Sequence, residues 1–386
     1  MIARPNEDFI RNHRVVFVTN AMGSVTCLMK CQIPQRAINL WSGESIVLDI
    51  ESFINYSNSE EYQSNDIIIF SKVIPYFRED IFNCLDKIKS KVKCIFSEAS
   101  EESSFEIFSV EGEEYHSIHL ENKEKLEKFA TYLDGFLYES DKLKDRINTY
   151  FPGMTCLQVR HIHSNCHNAL NPLSPMGAKD KELNYENLLN QYYKPDITKN
   201  FSKIGYLGRP KYCTDFLSLA RTTYELSHMV GKTLGFYTSN PGIHDNIYET
   251  LNVDFAFSFI EENLNTQHYF DYKTANKVTA LWSLGIPGLF SPLPTYKRVF
   301  KENNLEFERW SMPEKEVIYD SKGDVNEHET SLKYGHKVAE KIFARISDST
   351  FEDERKDLFI VSKRYNPMNV FWLYEDVFNF CEGLEK

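Results

Sequence analysis

Several features are missing from this sequence, and each absence narrows what the chain does. Met1 to Arg14 is polar and lacks the apolar core of a signal peptide, and no run approaches the roughly 18 apolar residues of a membrane span. Secretion and membrane spanning are therefore disfavoured. The eight cysteines, at 27, 31, 84, 94, 156, 166, 213 and 381, have no disulfide-framework spacing in a chain of 386 residues. They read as reduced thiols in a cytoplasmic protein. Basic residues are outnumbered, 44 Lys and Arg against 56 Asp and Glu, and the net charge of −12 argues against a broad nucleic-acid-binding surface. There is no internal repeat, no low-complexity tract and no G-x-G-x-x-G turn, which counts against a nicotinamide-dependent dehydrogenase.

What is present is ordinary globular material: 42% hydrophobic residues, with 28 Phe and 22 Tyr to fill cores. The length suits two domains with a cleft between them. Continuous apolar runs predict strands covered on both faces at Arg14 to Thr19, Ile46 to Ile50, Asp66 to Phe70 and Val92 to Phe96, with a helix over Glu79 to Lys89. A charged helix over 121–134, a strand from Asp134 to Glu139, a helix from Ser140 to Tyr150 and a strand from Thr155 to Val159 follow. Ser164 to Ser202, rich in Asn, Pro and Lys, has weak periodicity and marks a domain boundary near its start. Beyond it the alternation resumes with strands at Lys203 to Leu207, Leu234 to Tyr237, Val253 to Ile260 and Gly288 to Phe290. Helices are expected through Leu226, over Lys273 to Leu284, over 327–346 and over 370–384. Such alternation in both halves predicts an α/β protein of two doubly wound domains.

Three segments carry a resemblance. Tyr272-Lys273-Thr274-Ala275-Asn276-Lys277 opens a helix that leads through Gly285-Ile286-Pro287 into Gly288-Leu289-Phe290 and the loop Ser291-Pro292-Leu293-Pro294. Lys203-Ile204-Gly205-Tyr206-Leu207-Gly208-Arg209 is a strand entering a glycine loop. Asp134 to Ser140, Phe151-Pro152-Gly153 and His161-Ile162-His163 form a strand, a helix end and a last strand before a linker. In this order the segments resemble GT-B glycosyltransferases, nucleotide-sugar-dependent enzymes similar to glycosyltransferase family 1/4-like proteins. The resemblance implies two facing Rossmann-like domains. It places an acceptor-side domain at 1–165, a donor-nucleotide domain at 166–369 and a C-terminal crossover helix, 370–386, returning to the first domain. Many retaining members carry paired glutamates around the donor helix; here Tyr272 and Ala280 stand in those places, so retention is not carried over.

A diphosphate leaving group needs cations, backbone N–H groups and a helix N-terminus. Lys273, Asn276 and Lys277 at the start of the donor helix offer all three, the two lysines sharing a face at i, i+4. Gly208 permits close backbone approach and Arg209 supplies a clamp, while Glu261, with Glu262, is placed to accept from sugar or ribose hydroxyls. The plain alternatives are a capped, solvated helix start, a simple turn and solvated carboxylates. For the acceptor proton the candidate bases are Glu98 and Glu101, beyond one strand, and His161 or His163, at the linker. Glu98 and His163 are taken as the catalytic pair to test. His161, His163, Cys166 and His167 match no zinc spacing, and Cys27 and Cys31 read as a helix-spaced pair of buried thiols. No metal and no cofactor are expected, the nucleotide sugar being a substrate and a glycan or other hydroxyl compound its acceptor. The rivals are a nucleotide-sugar epimerase or hydrolase of the same fold, and a non-catalytic subunit that binds a glycan or protein.

Overall fold

The structure is a computed structural model that describes residues 9, 12–20, 22, 27–71, 78–99, 124–160, 197–206, 215–238, 253–258, 275–283, 285–366 and 369–384. Its strands form two parallel sheets, one of six strands in the order β2-β1-β3-β4-β5-β6 and one of four in the order β10-β9-β7-β8. The first sheet is β1 (Arg14–Thr19), β2 (Glu44–Leu48), β3 (Asp66–Ser71), β4 (Cys94–Glu98), β5 (Gly135–Tyr138) and β6 (Cys156–Gln158). The second is β7 (Lys203–Tyr206), β8 (Gly235–Thr238), β9 (Phe255–Ser258) and β10 (Gly288–Phe290).

Helices of the N-terminal half are α1 (Ile33–Leu40), α2 (Ile50–Asn58), α3 (Glu79–Ile88) and α4 (Asp141–Tyr150), with a further helical stretch over 124–130. Alternate strand residues face opposite layers. Val16, Val18, Ile68 and Phe70 pack with Phe53, Leu85 and Ile147 on one side, and Val15, Phe17, Ile67 and Ile69 pack with Ala37 and Ile38 on the other. That is why β1, β3 and β4 are buried along their whole length and read as unbroken apolar runs.

The second half builds its own core from α5 (Phe216–Val230), α6 (Asn276–Ser283), α7 (Pro294–Glu302), α8 (Glu327–Ile346) and α9 (Phe351–Val361). The chain then makes one helical turn, Val370–Leu373, and α10 (Glu375–Glu382). Val370, Leu373, Val377, Phe378 and Cys381 pack with Val15, Phe17, Ile67 and Cys94, so the C-terminus completes the second face of the first sheet. Where one helix is expected over 370–384, the helix breaks at Tyr374. Among the described residues no helix is long and apolar enough to cross a membrane.

Candidate functional site

In each sheet the chain reverses its direction of strand addition beside the first strand of that half, between β1 and β3 in one and between β7 and β9 in the other. Ligands of open α/β sheets bind outside the C-terminal strand ends at such points. Both places hold a lysine.

At the second, β7 ends in Tyr206, and α6 presents Lys277, whose Nζ lies 5.7 Å from the centroid of the Tyr206 ring. Val278 to Ser283 are all buried, which leaves Asn276 and Lys277, both half-exposed, as the part of α6 that reaches outward. These two predicted donor residues are thus brought together on the first turn, where backbone N–H groups point out of the helix. The other end of α6 is fixed. Gly285 takes φ 64°, a left-handed conformation suited to glycine, and its N–H donates to the carbonyl of Trp282 at 2.9 Å. The fully buried Arg355 donates from Nη1 to the Gly285 carbonyl at 2.9 Å and from Nε and Nη2 to Glu352 at 3.0 and 2.8 Å. Glu352 in turn accepts from the backbone N–H of Ile197, so one ion pair joins the turn after α6 to the first described residue of the second half.

At the first point the lysine is Lys30. Its helix runs without a break from Cys27 through a π-helical turn, Leu28–Gln32, into α1. Pro34 accounts for the wide turn: it has no N–H for the carbonyl of Lys30, four residues back, and its ring would collide with that carbonyl in a regular α-turn. The Lys30 ammonium bridges two carboxylates, Glu98 at 2.5 Å and Glu139 at 3.2 Å. Ser71 Oγ donates to the second oxygen of Glu98 at 2.6 Å. Burial works to lower the Lys30 pKa, but the Glu139 and Glu98 charges overcome it and push the pKa up. Tyr374, arriving from the C-terminal turn, lines the same spot, and burial, reinforced by the Glu98 charge, raises its phenol well above the usual range. Met29, Val159 and Arg160 complete a cavity of about 10 Å³, roughly one water molecule. Neighbouring Cys27 and Cys31 are buried; the hydrogen bond to Cys27 and then burial hold the Cys31 thiol well above its ordinary pKa. These are inert, structural thiols.

Of the predicted site residues, Glu98 therefore lies at the end of β4 with both oxygens engaged, and Asn276 and Lys277 share the start of α6. His163, Gly208, Arg209, Glu261 and Lys273 lie outside the described residues, as do Glu101, His161, Glu262, Cys166 and His167. Among the described residues no group of three or more His, Cys, Asp or Glu is placed to hold a metal ion. Sequence reasoning passed over Lys30 and Glu139. The signal for the first was a single lysine in the apolar stretch Cys27-Leu28-Met29-Lys30-Cys31, and for the second a carboxylate directly after the strand Gly135 to Tyr138.

Among the described residues the halves meet at the crossing and beside the Lys30 cavity. At the crossing, Arg160 donates to the carbonyl of Trp372 at 2.9 Å and stacks over its ring, while the Trp372 side chain packs against both the C-terminal core and the core it shares with α10. Beside the first cavity, Arg298 of α7 reaches the carbonyl of Glu139 and the carboxylate of Asp141.

No family model matches the sequence, and no curated protein does. Solved structures do match by shape. An α-glucosyltransferase in complex with UDP and a 13-mer DNA containing a central A:G mismatch aligns over 96% of this chain and 99% of its own, with 11% identity and a TM-score of 0.50. A structure described as trehalose-6-phosphate from E. coli bound with UDP-2-fluoro glucose covers 96% and 99% at 9% identity and a TM-score of 0.45. The calicheamicin glycosyltransferase covers 97% and 100% at 9% identity and a TM-score of 0.38. The chain has a GT-B glycosyltransferase-like fold, with two Rossmann-like halves and a C-terminal crossover.

Proposed function

We propose that the protein is a hexosyl- or pentosyltransferase that moves a sugar from a nucleotide-activated donor to a hydroxyl group of a glycan or other acceptor. The observation that carries this reading is Lys277 at the first turn of α6, over Tyr206 and beside the β7–β9 reversal point, in a GT-B-like fold. In the reaction the bond from the anomeric carbon to the diphosphate oxygen breaks as a bond to the acceptor oxygen forms. Charge develops on the departing diphosphate, and an ammonium with a helix N-terminus is fitted to receive it. Lys277 and Asn276 take that part, with Lys273, Gly208 and Arg209 joining them from adjacent sequence and Glu261 receiving a sugar or ribose hydroxyl. The acceptor proton goes to Glu98 or His163. For Glu98 this role requires that Lys30 or Ser71 yield one of its oxygens.

A thermal-shift panel of nucleoside diphosphates tests the reading. At a hundredfold excess over Kd a bound nucleotide stabilises the native state by about 2.7 kcal/mol. UDP or another nucleoside diphosphate is expected to raise the Tm, and Lys277→Ala to weaken that ligand roughly tenfold to a hundredfold, as loss of a charge-assisted contact does. Indifference to every nucleotide would sink the proposal in favour of a non-catalytic subunit. Donor incubated without acceptor should stay largely intact; its epimerisation would favour the rival chemistry.

A further inference from the structure

Among the described residues, Arg298 hydrogen-bonds across the contact between α7 and the end of β5. Arg298 lies in the second turn of α7, the helix that follows β10 and the Ser291–Leu293 loop. Its Nη1 donates to Asp141 Oδ1 at 2.9 Å, its Nη2 donates to the Glu139 carbonyl, and its Nε lies 3.5 Å from Glu302 of its own helix. Glu139 directly follows β5, and Asp141 is the first residue of α4. The carboxylate of that same Glu139 holds Lys30 against Glu98. Arg298 is therefore anchored on the backbone of a residue whose side chain builds the buried cluster.

We propose that Arg298 is a positioning residue: its guanidinium clasps the C-terminal half onto the end of β5 and the start of α4, and so sets how the donor-binding half approaches the Lys30 cluster. The planar guanidinium suits this task, because it offers separate N–H groups to a carboxylate and a carbonyl at once, which a lysine ammonium does with poorer geometry. The Arg298 side chain is 17% exposed and that of Asp141 59%, so one arm of the clasp is open to solvent and sensitive to salt. The link to catalysis rests on the transferase reading; the clasp itself does not.

Small-angle scattering of the full chain separates the two. The wild-type radius of gyration is expected to grow as ionic strength rises from roughly 0.05 M to about 1 M, where the screening length shrinks to a few ångströms. Arg298→Ala and Asp141→Asn should be expanded already at low salt and lose most of that response. Arg298→Lys should recover part of it, and Glu302→Gln, which spares both arms, should behave as wild type. A wild-type radius and salt response in both Arg298→Ala and Asp141→Asn overturns the clasp; Asp141→Asn keeps the test valid if the alanine variant folds poorly. In parallel, the slow hydrolytic release of UDP from UDP-glucose, with water standing in for the acceptor, should fall on the order of tenfold in Arg298→Ala with the Kd for UDP unchanged, the size expected for a lost charge-assisted contact. Unaltered release refutes the positioning role. Should the wild type bind no nucleoside diphosphate of the panel, the transferase reading fails and scattering alone decides the clasp.

Discussion

In the N-terminal half the lysine near the strand ends, Lys30, is held between Glu98 and Glu139, whereas in the C-terminal half Lys277 rests over the ring of Tyr206. The two sheets share a doubly wound plan, yet these contacts give the lysines different uses. Two carboxylates more than neutralise one ammonium, and a polyanion gains little from approaching such a cluster. An aromatic ring attracts a cation without cancelling its charge. Near the strand ends one half thus holds its lysine in a buried ion cluster, while in the other we propose Lys277, at the first turn of α6, as part of a diphosphate receptor.

The comparison is broken most severely at Lys30. Lys30→Met leaves two buried carboxylates uncompensated and should cost about 3–5 kcal/mol in urea unfolding. The wild-type pH dependence has a definite sign. Lys30 has a folded pKa above its unfolded value, so its contribution is fully present below about pH 10 and is lost as pH rises through the folded value. The methionine variant should lack that alkaline loss, and as pH falls its deficit should shrink, because a buried carboxylate then takes up the missing proton. Lys277→Ala should do none of this at neutral pH, changing nucleotide affinity and leaving the unfolding midpoint within error. A large stability loss in Lys277→Ala would show that the two lysines play the same part.

A second probe addresses the packing of the C-terminal half. A β-carbon at Gly335 of α8 would lie 2.5 Å from the Ser218 carbonyl and 2.7 Å from the Arg221 β-carbon, both on α5. Thr222 donates to the Gly335 carbonyl at 3.0 Å, which ties the two helices at the same level. Gly335→Ala must push them apart, and overpacking of this kind costs about 1–3 kcal/mol. Calorimetry should place the loss in the transition of the C-terminal half and spare the Lys30 cluster. Equal melting of both halves would mean that they unfold as one unit through Trp372.

The strands were legible because burial on both faces leaves little choice of residue: Val15 to Val18 and Ile67 to Phe70 carry the signal alone. Helices were less so. Ile50–Asn58 follows a strand whose apolar run blends into it, and its start is set by the Asp49 carboxylate accepting from the Ser52 N–H at 2.7 Å. Pro294–Glu302 reads as a proline loop, although proline at the first helical position is favourable. The helix that carries Asn276 and Lys277 was legible because its end runs into a Gly-x-Pro turn, which is a local pattern. The Lys30 cluster draws on Lys30, Ser71, Glu98, Glu139 and Tyr374, and no window of sequence contains that set. Pro34 hid it further, since a proline there reads as a loop and is instead absorbed by a π-turn.

The smallest expected effect sharpens the comparison through helix caps. Asp49 caps α2 in the first half and Asp215 caps α5 in the second, each accepting from the backbone N–H three residues on. Only Asp215 is buried and has a lysine partner, Lys315, at 2.8 Å. Burial works to raise its pKa, but the hydrogen bonds from Lys315 and Ser218 outweigh it and hold the carboxyl below the ordinary value. A carboxyl depressed in the folded state contributes stability above its unfolded pKa near 3.9, and the contribution is lost as pH falls through the folded value. Asparagine caps a helix about as well as aspartate, so Asp215→Asn keeps the cap and removes the charge. The loss at neutral pH should be about 1 kcal/mol or less, the range of a partly exposed pair. It should shrink and disappear as pH falls through the folded value, where wild type becomes protonated too. Asp49→Asn, without the lysine, should lose less at every pH. If the two asparagine variants lose the same amount at neutral pH, the Lys315 pair contributes nothing measurable and the caps of the two halves are equivalent.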